Sequence, residues 1–437
     1  MKALLLPFSC EGYDNQTADV QVRRLAGMLD ELGIEVIAAP RIDTADKAEL
    51  ASRLYHPFHY DFAVLMPVTW SEPRLAAIAA RAFFGSPLAV FCISEFACEG
   101  RRTEFSSVPA GAALAGSLRG MGVPCELFAD FPETEEEKAS WKAFAAAAHT
   151  LAWLRTARFG FFGHNFNGIT AAGMDLGLLR RRFGTEVYSF DVSELLSRME
   201  KADPSSPRYA AMQAEVLRKV KGSTGGYLDR IVRMSLALRE YAEEYGLAAL
   251  DVRCHTELSQ TYGLTACLPL SVLGDKLICS CEADLPVVLT QAVLSQLAGG
   301  MVSTYVDIRT LKNNVLSVGA CGFAPCALTG GTAEVGGQGG GYLTNSSSLR
   351  EGRVTLARLT ELPGGRLGLH LTEGTAAAEK QRLWEYGCAP YPMAAIRLDG
   401  DIASFREKIG ANHYALVYRE LTEAAGYFCR FAGVEMI

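Results

Sequence analysis

Short apolar runs alternate with amphipathic stretches over the N-terminal part of the chain. Near-continuous apolar segments separated by helices are typical of parallel strands that helices bury on both faces. This pattern predicts a doubly wound α/β domain over residues 1–156, closed by an alanine-rich helix at 133–156. The other predicted elements of this domain are strands at 2–8, 35–40, 62–68 and 87–93 and helices at 17–32 and 73–84.

The same alternation starts again at Arg158. A repeated strand–helix–strand pattern predicts a second doubly wound, Rossmann-like parallel sheet, which we assign to residues 157–310. Its predicted elements are strands at 158–163, 185–192, 247–254, 276–281 and 301–306 and helices at 170–183, 193–200, 208–245 and 284–298.

After residue 310 the pattern changes to short strands and frequent glycine, densest at 330–342. Short strands such as 353–360 in a glycine-rich context indicate a compact antiparallel unit. We therefore predict a β-rich C-terminal domain over residues 311–437, with a closing helix in 412–437. The glycine-rich stretch lacks a GKS or GKT end and does not lie between a strand and a helix, so we expect a flexible loop rather than a nucleotide site.

Composition agrees with three domains, since 437 residues divide into about three units of roughly 150. A net charge of −7 disfavours a nucleic-acid partner, which needs a basic surface. No apolar run reaches the ~18 residues of a membrane helix, and the N-terminus lacks a signal-peptide pattern, so we expect a soluble cytoplasmic protein. The twelve cysteines are scattered without a CxxC pair, which favours reduced, buried thiols over a zinc site.

Two carboxylates stand at the ends of predicted strands in the central domain. Glu282 follows the strand at 276–281, and Asp307 follows the strand at 301–306. Ligands of open α/β sheets bind at the carboxyl ends of the strands, so neighbouring strands would bring both side chains into one crevice. There they could hold a divalent cation or transfer a proton. The alternative is that each residue only caps the following helix.

A third candidate is His413, in the string GANHYALVY at 410–418. A neutral imidazole can complete a two-carboxylate site for a first-row divalent metal. The alternative is a histidine that is merely packed or exposed.

Candidate substrate contacts follow two other predicted strands. His164 and Asn165 stand after the first strand of the central domain, and His255 ends the strand at 247–254. Their alternative is an ordinary polar turn.

Three strings together resemble the L-fucose isomerase and L-arabinose isomerase superfamily, and more closely its fucose-isomerase-like branch. They are SCEAD at 280–284, YVDIRT at 305–310 and NHYALVY at 412–418. The resemblance spans most of the chain and is strongest over 158–320 and 410–435. It implies two stacked α/β domains followed by a β-rich domain.

The resemblance also implies a chemistry. A manganese-type divalent ion would be bound by Glu282, Asp307 and His413, with the two carboxylates also transferring protons and Asn412 touching substrate. The implied activity is aldose–ketose isomerisation of a small-molecule sugar through an enediolate. The implied assembly is a homo-trimer or homo-hexamer, in which the loop at 9–16 reaches a neighbouring subunit's site.

One position departs from the family pattern. The string GACGFAPC at 319–326 has Ala320 where many relatives have a histidine. Loss of a pocket residue points to a different sugar or sugar derivative. It also leaves two alternatives open, a metal-dependent epimerase or lyase on a modified sugar and a non-catalytic sugar-binding relative.

Overall fold

The structure is a computed structural model that describes residues 1–13, 15–98, 101–165, 168–254, 258–339, 342–378 and 392–437. These residues pack as two compact units, Met1–Trp153 with Glu423–Gly433 and Leu154–Thr422 with Val434–Ile437. Among the helices of these ranges, none is both long and apolar enough to cross a lipid bilayer.

The first unit is built from alternating strands and helices, as predicted. Its strands are β1 (Lys2–Phe8), β2 (Glu35–Ala38), β3 (Phe62–Pro67), β4 (Leu88–Cys92), β5 (Phe96–Cys98), β6 (Arg101–Thr103) and β7 (Cys125–Ala129). The helices along the same stretch are α1 (Asn15–Glu31), α2 (Ala45–Leu54), α3 (Pro73–Ala79), α4 (Ser107–Gly120) and α5 (Glu135–Leu154).

Five of these strands form a parallel sheet in the order β2-β1-β3-β4-β7, which is a doubly wound arrangement. Alternate residues of the strands face one core, in which Leu4 and Leu65 pack in the same cluster as Leu114 and Leu118 of α4. The sequence analysis missed α4 and β7. The stretch SVPAGAALAGSLRG of α4 consists mainly of small residues, so its amphipathic period is weak.

The second unit begins with the remaining strand–helix repeats and continues into a β-rich region. Its strands are β8 (Arg158–Phe162), β9 (Glu186–Phe190), β10 (Val220–Lys221), β11 (Ala249–Val252), β12 (Ile278–Cys281), β13 (Ser303–Lys312), β14 (Val315–Gly319), β15 (Ala333–Gly339), β16 (Tyr342–Asn345), β17 (Gly352–Leu362), β18 (Arg366–Ala377), β19 (Met393–Leu398), β20 (His413–Val417) and β21 (Glu435–Met436). The helices are α6 (Leu176–Phe183), α7 (Val192–Lys201), α8 (Pro207–Lys219), α9 (Leu228–Tyr245), α10 (Cys267–Leu273), α11 (Leu285–Leu297) and α12 (Ile402–Glu407). The last helix, α13 (Thr422–Ala432), belongs to the first unit except for its first residue.

Two main sheets organise this unit. A parallel sheet runs in the order β12-β11-β8-β9. A seven-stranded sheet runs in the order β17-β20-β13-β14-β19-β18-β21 and is antiparallel except for the β18–β21 pair. A small third sheet has the order β10-β15-β16.

Helix α11 connects the two main sheets and contacts both of them. Every residue from Leu285 to Ser295 is buried, as expected of a helix that is apolar on all sides. Gln291 Nε2 donates to Cys279 O of β12 at 3.0 Å, and Thr290 Oγ1 accepts from Leu359 N of β17 at 2.9 Å. Buried polar groups of α11 are therefore satisfied by strands on either side.

Several predicted elements need correction. The strand predicted at 301–306 is part of β13, and it belongs to the antiparallel sheet instead of the parallel one. The stretch 412–437 forms β20 before α13 begins, and the glycine-rich stretch contributes the strands β15 and β16. The single helix predicted at 208–245 is two helices separated by β10 and a turn containing Gly222, Gly225 and Gly226.

The predicted fold class, doubly wound parallel-sheet domains followed by a β-rich C-terminal region, is confirmed. The separation of residues 157–437 into a central and a C-terminal domain stays a prediction.

Candidate functional site

The carboxyl end of β12 turns sharply to present Glu282. Both Glu282 and Ala283 adopt left-handed backbone conformations, with φ of 73° and 55°. Two successive left-handed residues with side chains are strained, so the surroundings must hold them in place. Glu282 N donates to Val252 O at 3.1 Å, and Ala283 N donates to Oδ1 of Asp251 at 3.1 Å. The turn is thus fastened to β11, the neighbouring strand.

Asp251 is an unusual anchor, because its side chain is buried and its Oδ2 has no hydrogen-bond partner among the described residues. Burial, followed by the nearby charge of Asp284, raises the pKa of Asp251 to about 8. At neutral pH this carboxyl group is therefore largely protonated and adds little negative charge to the site.

Asp307 reaches the same place from the other main sheet. It lies on β13 directly opposite His413 of β20 in the antiparallel register. Its Oδ1 accepts a hydrogen bond from Asn412 Nδ2 at 2.9 Å, and its Oδ2 faces Arg309 Nη2 at 3.0 Å. These two contacts fix the orientation of the carboxylate.

His413 is almost completely buried, and its two ring nitrogens have different surroundings. Nδ1 lies 2.9 Å from Asp284 Oδ2. Nε2 lies 3.3 Å from Glu282 Oε2 and 3.3 Å from Asp307 Oδ1, yet it has no well-formed hydrogen bond within the described part of the chain. A buried imidazole nitrogen that faces two carboxylate oxygens is the arrangement expected of a metal ligand.

The structure therefore brings together the three residues that the sequence analysis named as ligands. One ligand atom each from Glu282, Asp307 and His413 lies within 4.8 Å of the others. Two carboxylate oxygens and one imidazole nitrogen suit a divalent first-row ion. The residues present thus fit the group that the resemblance implies.

The electrostatics of the cluster also favour a bound cation. Burial by itself would lower the pKa of His413, but its contacts with Asp284, Asp307 and Glu282 raise it to about 12. The negative charges of these three carboxylates thus strongly favour a positive charge at Nε2. A proton on Nε2 and a divalent cation would compete for that position.

The sequence analysis missed two residues behind this cluster, Asp284 and Arg358. Asp284 caps α11 by accepting from Val287 N at 3.0 Å, and its side chain is fully buried against Arg358 of β17, with Nη1 3.0 Å from Oδ2. Burial raises the pKa of Asp284, but the bond from His413 and the charge of Arg358 outweigh it and lower the pKa. Asp284 could have been noticed as a second acid after Glu282; nothing in the sequence marks Arg358.

The predicted substrate contacts are distributed around the same sheet edge. His164 and Asn165 follow β8 and are exposed, and the guanidinium of Arg253 lies against the His164 ring, with Nη1 2.6 Å from Nε2. Arg253 and His164 line a cleft of about 380 Å³ together with Ser189 and Asp191. His255 lies outside the described residues.

Asn412 precedes His413 and bonds Asp307, so the structure brings it into the cluster. Ala320 is buried and follows Gly319, which is the register partner of Asp307 on β14. The position that departs from the family pattern therefore adjoins a predicted ligand.

Four cysteines also converge at this end of the parallel sheet. The thiols of Cys254 and Cys281 lie 3.1 Å apart, and both have hydrogen-bond contacts with Cys321. Cys267 contacts Cys254 and Cys321, and the Tyr305 hydroxyl lies 2.8 Å from Cys321 Sγ. Most described cysteines are buried, as expected, but the convergence of four of them was not foreseen.

No protein-family model matches the sequence. The chain is 24% identical over 339 residues to a sulfoquinovose isomerase of Alkalicoccus urumqiensis, covering 74% of each chain. It is 22% identical over 349 residues to proteins of the same name from Priestia aryabhattai and Priestia megaterium, covering 78% of this chain and 77% of theirs. Among solved structures, an ABC-transporter solute-binding protein from Burkholderia multivorans aligns with a TM-score of 0.18 and 10% identity over 68% of this chain and 94% of that one, too weakly to carry an argument.

These relationships bear on the predicted activity but not on the predicted branch of the superfamily. The relatives share one name, which is that of an isomerase. The prediction that this chain is an enzyme, and an isomerase, is confirmed by that relationship.

Proposed function

We propose that the protein is a divalent-metal-dependent sugar isomerase that interconverts an aldose and a ketose. The observation that carries the proposal is the buried Nε2 of His413, which faces Glu282 and Asp307 at 3.3 Å each and forms no well-aligned hydrogen bond with another described residue. The distant isomerase relatives support the same conclusion.

Glu282, Asp307 and His413 would hold the ion, with manganese as the first ion to test. When bound, such an ion supplies Lewis acidity, polarising the sugar's carbonyl and balancing the charge of an enediolate. The chain's own contribution is to place two carboxylates beside the reacting carbons. One of them removes the proton from C2, and the second returns a proton at C1.

For the substrate, we propose a sugar that carries an anionic substituent, as sulfoquinovose carries a sulfonate. The names of the relatives support this proposal, and so does the cleft lined by Arg253, which follows the strand to which the Glu282 turn is hydrogen-bonded. Arg253 and His164 line that cleft and offer N–H donors to an anion. Asn165, Asn412 and His255 remain proposed contacts with the rest of the sugar, and a trimer or hexamer in the cytoplasm remains the proposed state of the protein.

The test is to incubate the purified protein with Mn²⁺ in deuterated water and to follow sulfoquinovose, neutral hexoses and pentoses by NMR. For the anionic sugar we expect a ketose product with deuterium at C1, and deuterium at C2 of the aldose that the reverse reaction forms. Glu282→Gln and Asp307→Asn should each lower kcat by at least ~100-fold, the scale of one acid–base group. Glu351→Gln, at an exposed carboxylate, is the matched control and should behave as wild type.

Other outcomes would identify a different activity. Deuterium at C2 of an epimeric aldose, with no ketose, would show an epimerase, and loss of water from the sugar would show a lyase. Sugar binding without exchange would show a non-catalytic relative. Each of these results would overturn the isomerase proposal.

A further inference from the structure

The surroundings of Asp284 differ from those of an ordinary helix cap. Its four acceptor positions are all used: Oδ1 accepts from Val287 N at 3.0 Å and Arg358 Nη2 at 3.2 Å. Oδ2 accepts from Arg358 Nη1 at 3.0 Å and from His413 Nδ1 at 2.9 Å. A carboxylate with four donors has no lone pair left for a cation, so Asp284 is not a further ligand.

Arg358 holds His413 at a second point. Its Nη1 also donates to the backbone oxygen of His413 at 2.8 Å, and its Nη2 donates to Ala171 O at 2.5 Å. Asp284 therefore holds the ring of His413, while Arg358 holds both its backbone and Asp284. Neither Asp284 nor Arg358 has any exposed side-chain surface, so this arrangement has little freedom to move.

We propose that Asp284, supported by Arg358, is the positioning residue that sets the tautomer and ring orientation of His413 for metal binding. Because Asp284 can only accept, Nδ1 of His413 carries a hydrogen, and Nε2 faces Glu282 and Asp307, where a bound ion would take the place of its proton. Carboxylate–histidine–metal arrangements of this kind raise ligand basicity and hold the ring in place. The inference rests on the proposed function, since it assigns a role in the same metal site.

The charges agree with this assignment. Asp284 is balanced by the buried Arg358, so the negative charge that faces Nε2 of His413 comes from Glu282 and from Asp307, whose other oxygen pairs with Arg309. An isolated buried carboxylate at position 284 would instead compete with the ligands for the cation or be protonated. The ion pair thus lets a carboxylate polarise His413 without adding net charge to the site.

The test compares Mn²⁺ affinity, measured by calorimetry on the metal-free full-length protein, between wild type and Asp284→Asn. Asparagine can still cap α11, but it is neutral and can also present N–H groups to Nδ1. We expect the dissociation constant to rise by about 10- to 100-fold, the usual effect of losing such a partner. Asp175→Asn is the matched control, because Asp175 caps α6 in the same way without touching the cluster.

A double variant keeps the test valid if Asp284→Asn unfolds. Arg358→Met combined with Asp284→Asn removes both buried charges, so folding should recover while Mn²⁺ affinity stays low. Wild-type affinity in either folded variant would overturn the positioning role. A wild-type protein that binds no divalent ion would overturn the proposed function itself, which separates the two failures.

Discussion

Single buried side chains carry most of the site's chemistry. Nδ1 of His413 is hydrogen-bonded to Asp284 while Nε2 faces the predicted metal site, and Asp251 holds the left-handed turn that carries Glu282. These supporting residues are neither exposed nor repeated in a motif. At this scale the molecule depends on hydrogen bonds between residues far apart in sequence.

His370 is a second buried imidazole, and its protonation should affect stability. Its Nδ1 accepts from the Tyr414 hydroxyl at 2.6 Å, and burial lowers its pKa from 6.5 to about 4. The unfolded chain therefore binds a proton below pH 6.5 that the folded chain takes up only near pH 4. His370 accordingly costs no stability above pH 6.5, and the free energy of unfolding falls as the pH drops from 6.5 toward 4, by up to about 3 kcal/mol.

Urea unfolding at pH 7 and pH 4.5 checks this prediction. His370→Asn retains an acceptor for Tyr414 but does not titrate, so its free energy of unfolding should fall less between the two pH values than that of wild type. His59→Asn, at an exposed histidine, should follow wild type. Equal pH dependence in wild type and His370→Asn would contradict the prediction.

At the scale of elements, strand order decides which residues meet. The run MVSTYVD was correctly predicted to contain a strand, but its apolar pattern does not reveal its partners. β13 pairs with β14, which follows it directly in sequence, and with β20, which lies near the C-terminal end of the chain. The pairing with β20 puts Asp307 opposite His413. The two acids meet across two sheets instead of at neighbouring strands of one.

The strand ends also bring thiols together, which predicts a cross-link. Cys254 and Cys281 follow or end adjacent strands with their sulfurs 3.1 Å apart, so a disulfide needs only a further approach of about 1 Å. Diamide, which removes one hydrogen from each thiol, should form this disulfide only slowly, since burial keeps both thiols from solvent and their pKa values are raised above the usual one. The disulfide should lower activity, because Cys281 adjoins Glu282. Mass spectrometry of the alkylated protein and recovery with dithiothreitol give the measurement.

Two variants sharpen the oxidation experiment. Cys281→Ala should resist inactivation by diamide, whereas Cys429→Ala, at a buried cysteine of α13, should remain as sensitive as wild type. Cross-links that form elsewhere, or inactivation that persists in Cys281→Ala, would rule out this pair as the cause.

At the scale of the whole molecule, the second unit contains all three predicted ligands. Glu282 follows a strand of the parallel sheet, while Asp307 and His413 belong to the antiparallel sheet. A cation bound by all three would link these sheets and bind the folded chain in preference to the unfolded one. At 100 times its dissociation constant it should stabilise the fold by about 2.7 kcal/mol.

Scanning calorimetry with and without Mn²⁺ measures that effect. We expect a rise of several degrees in the transition of the second unit, reversed by a chelator and absent from His413→Ala. An equal rise in wild type and His413→Ala would place the stabilising ion elsewhere.

The sequence by itself determined the strand–helix alternation, the fold class and the three candidate ligands. The periodicity of apolar residues in a strand or helix is a local property of the sequence. The strings around Glu282, Asp307 and His413 are also local, and they resemble those of a known isomerase superfamily. Only the tertiary structure decided that β13 is antiparallel, that Asp284 and Arg358 stand behind His413, and that four of the scattered cysteines meet. These features depend on pairing between strands and side chains that are distant in sequence, by 27 residues for Cys254 with Cys281 and by 74 for Asp284 with Arg358, and no local pattern encodes such pairing.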